Sequence, residues 1–169
     1  MAREHLSKRG NWQAKAGIGA QGREETTKKI LSTYLMRSSV YSVIERPKHL
    51  KKIYGGMWGI EPDFAIENKK TRKMAFFETK RQGKGGNAHE RACKYLAPGV
   101  LRICGKIAGF ANPFFFVFMN GLTLDPKKRM EIETWFDAPG YKDRFILWKD
   151  RSHETLIKYF EDVVSKYLS

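Results

Sequence analysis

Strand and helix signals alternate along the chain, which predicts an α/β fold with a mixed central β-sheet flanked by helices. Three observations carry this prediction. Residues 63–68 and 74–80 read as two strands around a polar four-residue loop. Residues 114–119 form an unbroken apolar run, as expected of a strand buried on both faces. Helical periodicity precedes, separates and follows these strands. With 169 residues, 41% of them hydrophobic and 13% aromatic, the chain suits one domain, 1–169, with a real core, and a disordered basic tail is excluded.

The first helix is expected over residues 24–37, where Ile30, Leu31, Tyr34 and Leu35 share a face. Residues 40–45 are β-branched and aromatic and read as a strand ending before Pro47. After the hairpin 63–80, residues 81–86 read as a Gly-rich loop. A helical pattern starts at Asn87, breaks at Pro98-Gly99 and resumes at Val100. The uncharged stretch 107–124 is interrupted by Gly109, Asn112, Pro113, Asn120 and Gly121, so it reads as a loop and one buried strand rather than a membrane span. Asp125-Pro126 has the form of an N-cap with Pro at the first helical position. A short strand is expected over 145–148. Ser152 then caps a last helix with Leu156, Ile157, Phe160, Val164 and Tyr167 on one face.

Net charge narrows the function. There are 32 Lys and Arg against 18 Asp and Glu, a formal +14. Residues 69–94 hold nine basic and two acidic residues, whereas residues 125–169 hold nine of each. A basic middle beside a neutral C-terminal third points to a surface that faces a polyanion, with nucleic acid favoured over a membrane because no strongly basic amphipathic helix stands out. Two cysteines make no disulfide framework and the charged first ten residues make no signal peptide, so a reducing, cytoplasmic setting is expected. Cys93 and Cys104 lack a companion His at metal spacing, and the four His form no zinc pair or Ser-His-Asp order. Gly17-Ile18-Gly19-Ala20-Gln21-Gly22 matches a dinucleotide fingerprint, but no strand precedes it, and a turn into the first helix is preferred.

The constellation richest in chemistry is Pro62-Asp63 followed by Glu78-Thr79-Lys80. If residues 69–72 form the hairpin loop, Asn68 pairs with Lys73 and Asp63 falls opposite Glu78, with their Cβ atoms about 4.5–5.5 Å apart. Lys80, two residues on, points to the same face. Two carboxylates so close repel unless a cation sits between them, and hard oxygen ligands favour Mg²⁺. Lys80 is suited to orient or deprotonate a water, so the three residues are those of metal-assisted phosphodiester hydrolysis. An amphipathic hairpin with surface ion pairs fits the same short pattern. The apolar run from Met74 to Phe77 favours the end of a buried strand instead. Seven residues beyond Lys80, Asn87 and Arg91 stack on one face of a helix start. Asn suits adenine and Arg suits purine acceptors in the major groove. The plainer alternative is an N-cap and a solvated charge.

At these residues the chain resembles type II restriction endonucleases of the EcoRI/MunI type. Residues 77–83 (Phe-Glu-Thr-Lys-Arg-Gln-Gly) and 86–91 (Gly-Asn-Ala-His-Glu-Arg) carry the likeness, joined by residues 11–14, 46–51, 58–68, 125–127 and 166–168. The resemblance implies the PD-(D/E)XK fold, a homodimer, Mg²⁺ dependence and cleavage of double-stranded DNA at a palindrome with an AATT core, leaving 5′ overhangs. It also implies a cognate DNA methyltransferase in the same cell, though not as a stable partner. By position, Asp63 and Glu78 would bind metal and Lys80 would be the catalytic lysine. Glu24, with Glu25 as competitor, would add a supporting acid. Asn87, Ala88, His89 and Arg91 would face the bases. Departures are a shorter segment before Trp58, a shorter loop between Lys80 and Asn87, and Gly85 where the MunI-type pattern has arginine. That arginine is a candidate reader of the outer base pair, and Lys84 is its candidate substitute. Rival functions are a structure-selective nuclease of the same fold, a monomeric nicking or repair nuclease, and a DNA-binding module without activity.

Overall fold

Five strands join into one sheet in the order β1-β2-β3-β4-β5, described by a computed structural model over residues 26–47, 50, 60–82, 87–137 and 140–169. Helix α1 covers residues 26–35, β1 Tyr41–Glu45, β2 Phe64–Asn68 and β3 Met74–Gln82. Helix α2, Ala88–Ala92, tightens into a 3₁₀ turn at Cys93–Leu96 and is followed by α3, Pro98–Ala108. β4 is Phe114–Asn120, α4 Gly121–Leu124, α5 Pro126–Trp135 and β5 Phe145–Trp148. The last helix, α6, begins at His153–Tyr159, passes through a π-type turn at Phe160–Val164 and ends at Ser165–Leu168. β1, β2 and β3 pair antiparallel, whereas β3–β4 and β4–β5 pair parallel, so the predicted mixed sheet is observed.

Alternation along the strands sorts the core into two layers. On one face Phe64, Ile66, Phe77, Phe115 and Val117 pack with Leu31 of α1 and with Leu156, Phe160 and Val164 of α6. On the other, Ala65, Phe76, Phe114, Phe116 and Phe118 pack with Tyr95, Cys104, Ile132 and Phe136. Each fully buried Phe contributes about 1.5–3 kcal/mol, so these rows fix which face each strand residue takes. Residues 76, 78, 80 and 82 of β3 therefore share the second face. In α6 the buried Leu156, Phe160, Val164 and Leu168 recur every four residues, which a 3.6-residue helix cannot hold on one line. The wider π-type turn absorbs the drift.

The caps at Asp125 and Ser152 form as predicted: Asp125 accepts from the N–H groups of Lys127 and Lys128, and Ser152 accepts from that of Thr155. Three expectations need correction. Residues 81 and 82 are strand, not loop, because β4 pairs with them through Met119 and Asn120. The expected break in the helical pattern is present but falls at Ala97, one residue before Pro98. Ala97 is extended (φ −60°, ψ 131°), as a residue before proline prefers, and Pro98 opens α3. The stretch 107–124 also holds the end of α3, closed by Gly109 at φ 80°, and all of α4. The Gly17–Gly22 motif lies outside the described residues. Among the described residues no helix is long and apolar enough to cross a membrane.

Candidate active site

The predicted hairpin register is the observed one. Phe64 pairs with Phe77, Ala65 with Phe76, Ile66 with Ala75 and Glu67 with Met74. Asn68 N–H donates to Lys73 O across a loop of four residues, and Asp63 N–H donates to Phe77 O at 2.9 Å. That last bond is offset by one residue from the strand register, so regular pairing ends at Phe64–Phe77 and the expected Asp63–Glu78 pair does not extend it; Asp63 instead meets β3 at Phe77 and Thr79. Asp63 is half-buried, and its Oδ2 accepts the Thr79 backbone N–H at 2.6 Å, which holds the carboxylate against β3.

Glu78 is only 3% exposed, because it continues the row that begins with Phe76 and faces Phe116 of β4. A carboxylate at such a depth needs compensation. Lys80 Nζ donates to Glu78 Oε1, while Glu78 Oε2 is buried without a hydrogen-bond partner. An orphaned, acceptor-only oxygen on β3, with the Asp63 carboxylate held at the following residue, is a donor set suited to a hard cation. Among the described residues no group of three or more His, Cys, Asp or Glu side chains assembles. Among the described residues Asp63 and Glu78 are the carboxylates that could hold a metal here, with water or substrate oxygens in the rest of its shell, the habit of Mg²⁺.

Gln82, a strand residue where a loop is expected, connects this strand to α2. Its side chain is buried, and its Oε1 accepts the backbone N–H of Ala88, the first residue of α2. The amide spares an orphan donor at the helix start and spaces α2 from the β3 end. Asn87 occupies the N-cap position without a side-chain cap bond, and its Nδ2 donates to Glu90 Oε2 at 3.1 Å. Asn87, Glu90 and Arg91 are exposed, whereas Ala88, His89 and Ala92 are buried. The helix therefore presents Asn87 and Arg91 outward, as their four-residue spacing requires. Ala88 and His89, expected to face bases, turn inward. His89 Nε2 lies 2.8 Å from Glu131 Oε2, and its ring stacks on Trp135 at 5.1 Å and 8°. Periodicity already separates positions 88, 89 and 92 from 87 and 91, which was the available signal. Glu24 and Lys84 lie outside the described residues.

The cysteines do not extend the site. Both are free thiols. Burial, then the Glu90 charge, raises the Cys93 pKa, and burial pushes that of Cys104 up to about 12, so neither is activated as a nucleophile.

With this geometry in view, known proteins give a consistent answer. The model of the family described as type II restriction enzyme MunI matches residues 1–169. A type II restriction enzyme MunI from Mycoplasma sp is 36% identical over 204 aligned positions, covering 99% of this chain and 100% of the relative. Since 204 − 169 = 35, at least 35 of those positions have no residue here, in keeping with the shortened segments noted above. A crystal structure of MunI restriction endonuclease in complex with cognate DNA superposes with a TM-score of 0.73 at 35% identity, over 94% of this chain and 98% of that one. Such agreement over full length, on a sheet whose central strand carries Glu78 and Lys80 with Asp63 held against it, is not a likeness of fold alone. The chain belongs to the MunI family of type II restriction enzymes.

Proposed function

We propose that this restriction enzyme is a homodimer that hydrolyses double-stranded DNA in a Mg²⁺-dependent reaction at a palindrome with an AATT core, leaving 5′ overhangs. The observation that carries the proposal is that the Asp63 carboxylate is held on β3 at Thr79, between Glu78 and Lys80 in sequence, while a buried Glu78 oxygen lacks a partner. Asp63 and Glu78 would hold the ion through their carboxylates. When bound, it supplies positive charge at the scissile phosphate and makes a coordinated water more acidic. The Thr79 N–H fixes the Asp63 carboxylate, so its remaining lone pairs are aimed without reorganisation. Lys80, the ion-pair partner of Glu78 in the metal-free chain, is the group that would orient the attacking water or relay its proton. As that water adds to phosphorus, the P–O bond to the leaving sugar oxygen breaks and that oxygen takes a proton from solvent.

Asn87 and Arg91 face outward from α2, seven and eleven residues beyond Lys80, so base reading and cutting share one short segment. Two copies related by a two-fold axis would set two such sites on the two strands of a palindrome. The crystallised relative's DNA complex supports DNA as the partner. A cytoplasmic setting, with a cognate methyltransferase in the same cell, belongs to this reading. Gly85 in place of the family's arginine leaves Lys84 as the candidate reader of the outer pair.

The test is cleavage of duplexes carrying every single-base substitution in N-AATT-N, with Mg²⁺ and with chelator. Cleavage that requires the metal and collapses on substitution within AATT is expected. Uniform cutting of all duplexes, or a preference for four-way junctions, would overturn the proposal. Arg91→Lys keeps the charge but loses the planar fork, so it should reduce cutting of the AATT site by about 1–3 kcal/mol of discrimination while non-specific binding stays near wild type.

A further inference from the structure

We propose that His89 is a positioning residue for base selection, which acts by locking α2 onto α5 and so setting the angle at which Asn87 and Arg91 meet DNA. The inference rests on the reading of Asn87 and Arg91 as base-facing residues. It assigns His89 a role away from the bases. Helix α2 has only five residues, too few to hold itself by its own hydrogen bonds, so its orientation comes from what it touches. Two anchors are present. At its start, the Gln82 amide takes the Ala88 N–H and fixes where the helix begins. Burial of Ala88 and Ala92 in the core settles which face turns inward, but two such small side chains fix the pivot of the helix only loosely.

The second anchor removes the pivot. His89 is 2% exposed, and two α5 residues one turn apart, Glu131 and Trp135, receive its ring from two directions. Glu131 Oε2 lies 2.8 Å from Nε2, while the indole stacks on the ring with centroids 5.1 Å and planes 8° apart. A hydrogen bond at one ring nitrogen and a parallel stack together restrain the tilt and the spin of a planar ring. Alanine or leucine at this position would fill space without defining either. The buried His89 Nδ1 has no partner, so the ring gains no polar contact except through Glu131. Asn87 and Arg91 lie two residues to either side, and a ring held in two directions transmits its placement to both.

The experiment compares kcat/KM on the AATT duplex with kcat/KM on each substituted duplex for wild type, His89→Ala, Glu131→Ala, Glu131→Gln and the His89→Ala/Glu131→Ala double variant. A misplacement of about 1 Å costs up to about a hundredfold in rate. Losing the lock should therefore lower cutting of the AATT site about tenfold to a hundredfold and that of substituted duplexes by a smaller factor. Glu131→Gln keeps an acceptor for the imidazole N–H and should restore most of the selectivity. The double variant should be no worse than the poorer single one. Glu131 is part-exposed, so its variants report on the lock even if His89→Ala fails to fold. Equal losses on all duplexes, or additive losses in the double variant, would show a merely structural contact and overturn the proposal. If wild type itself lacks base selectivity, the proposed function fails and this role with it. If wild type is selective and the variants keep its ratio, the positioning role alone fails.

Discussion

Replacing Lys80 by alanine tests the site by stability as well as by rate. In the metal-free chain Lys80 is the ion-pair partner of Glu78, whose side chain is 4% exposed against 20% for Lys80. Truncating one partner of a buried pair costs about 3–5 kcal/mol because the other charge is left unpaired. Lys80 reaches solvent in part, and a water can enter behind it, so about 2–3 kcal/mol is the expected loss. For a chain of this length 1 kcal/mol moves the melting temperature by about 2–4 °C, which places the drop at about 4–12 °C. Glu78→Gln removes the buried charge itself and leaves a lysine that can turn to water, so its drop should be smaller. Mg²⁺ should then act in opposite ways on the two variants. In Lys80→Ala the ion meets two carboxylates and no competing ammonium, so millimolar Mg²⁺ should recover most of the lost stability. A concentration of a hundred times Kd returns about 2.7 kcal/mol. In Glu78→Gln it should recover little. Cleavage by Lys80→Ala should stay about a hundredfold to ten-thousandfold below wild type even with the metal bound. Thermal melts with and without Mg²⁺, beside single-turnover cleavage, measure all of this. Equal melting drops for the two variants, or no recovery of Lys80→Ala by Mg²⁺, would refute the shared-site reasoning.

Other outcomes follow from particular contacts. Asn120 sits at φ 58° and ψ −126°, a region suited to glycine, and its Oδ1 is buried without a partner. Asn120→Gly should raise stability by about 0.5–2 kcal/mol, since relief of about 1–3 kcal/mol of strain exceeds the entropic cost of glycine, and a lower melting temperature would contradict it. The Thr155 hydroxyl first, then the Ser152 backbone N–H, lowers the Asp150 pKa below its ordinary value. A depressed carboxylate contributes stability above its unfolded pKa and loses it as pH falls through the folded value. Asp150→Asn should therefore flatten the acid limb of a melting-temperature profile below about pH 4, and an unchanged limb would argue against the cap. Cys104, fully buried and with its thiol pushed up to about 12, should resist alkylation in the native chain while part-exposed Cys93 reacts slowly, as mass spectrometry of timed samples would record.

How far the sequence reached depends on how local each determinant is. The register of β2 and β3 was legible because loop length and alternation settle it within twenty residues. A four-residue loop sets Asn68 against Lys73, and the pairing then runs back to Phe64 and Phe77, beyond which the offset bond of Asp63 breaks the register. The caps at Asp125 and Ser152 were legible for the same reason, since an N-cap needs only its own side chain and the next turn. Gln82 escaped because a Gly-rich stretch follows it and its strand character comes from Asn120, thirty-eight positions away on β4. Its bond to Ala88 is then a consequence of where β3 ends, which no local pattern fixes.

The same distinction explains the split within α2. Helical spacing alone predicts that Asn87 and Arg91 share a face and that His89 does not share it. It cannot say whether the His89 side meets solvent, DNA or protein. That is decided by α5, whose Glu131 lies forty-two positions on. A buried histidine with one carboxylate partner is costly to retain unless its placement matters. Charge shows the same limit. The basic excess of residues 69–94 was visible, but which cations face outward depends on the sheet. Lys80 turns back to Glu78, whereas Arg91 stays in solvent. Two cations eleven residues apart thus meet different surroundings: Lys80 neutralises the buried Glu78 carboxylate, and Arg91 is exposed. The sequence supplies both, and the parity of β3 together with the packing of α2 decides which one turns inward.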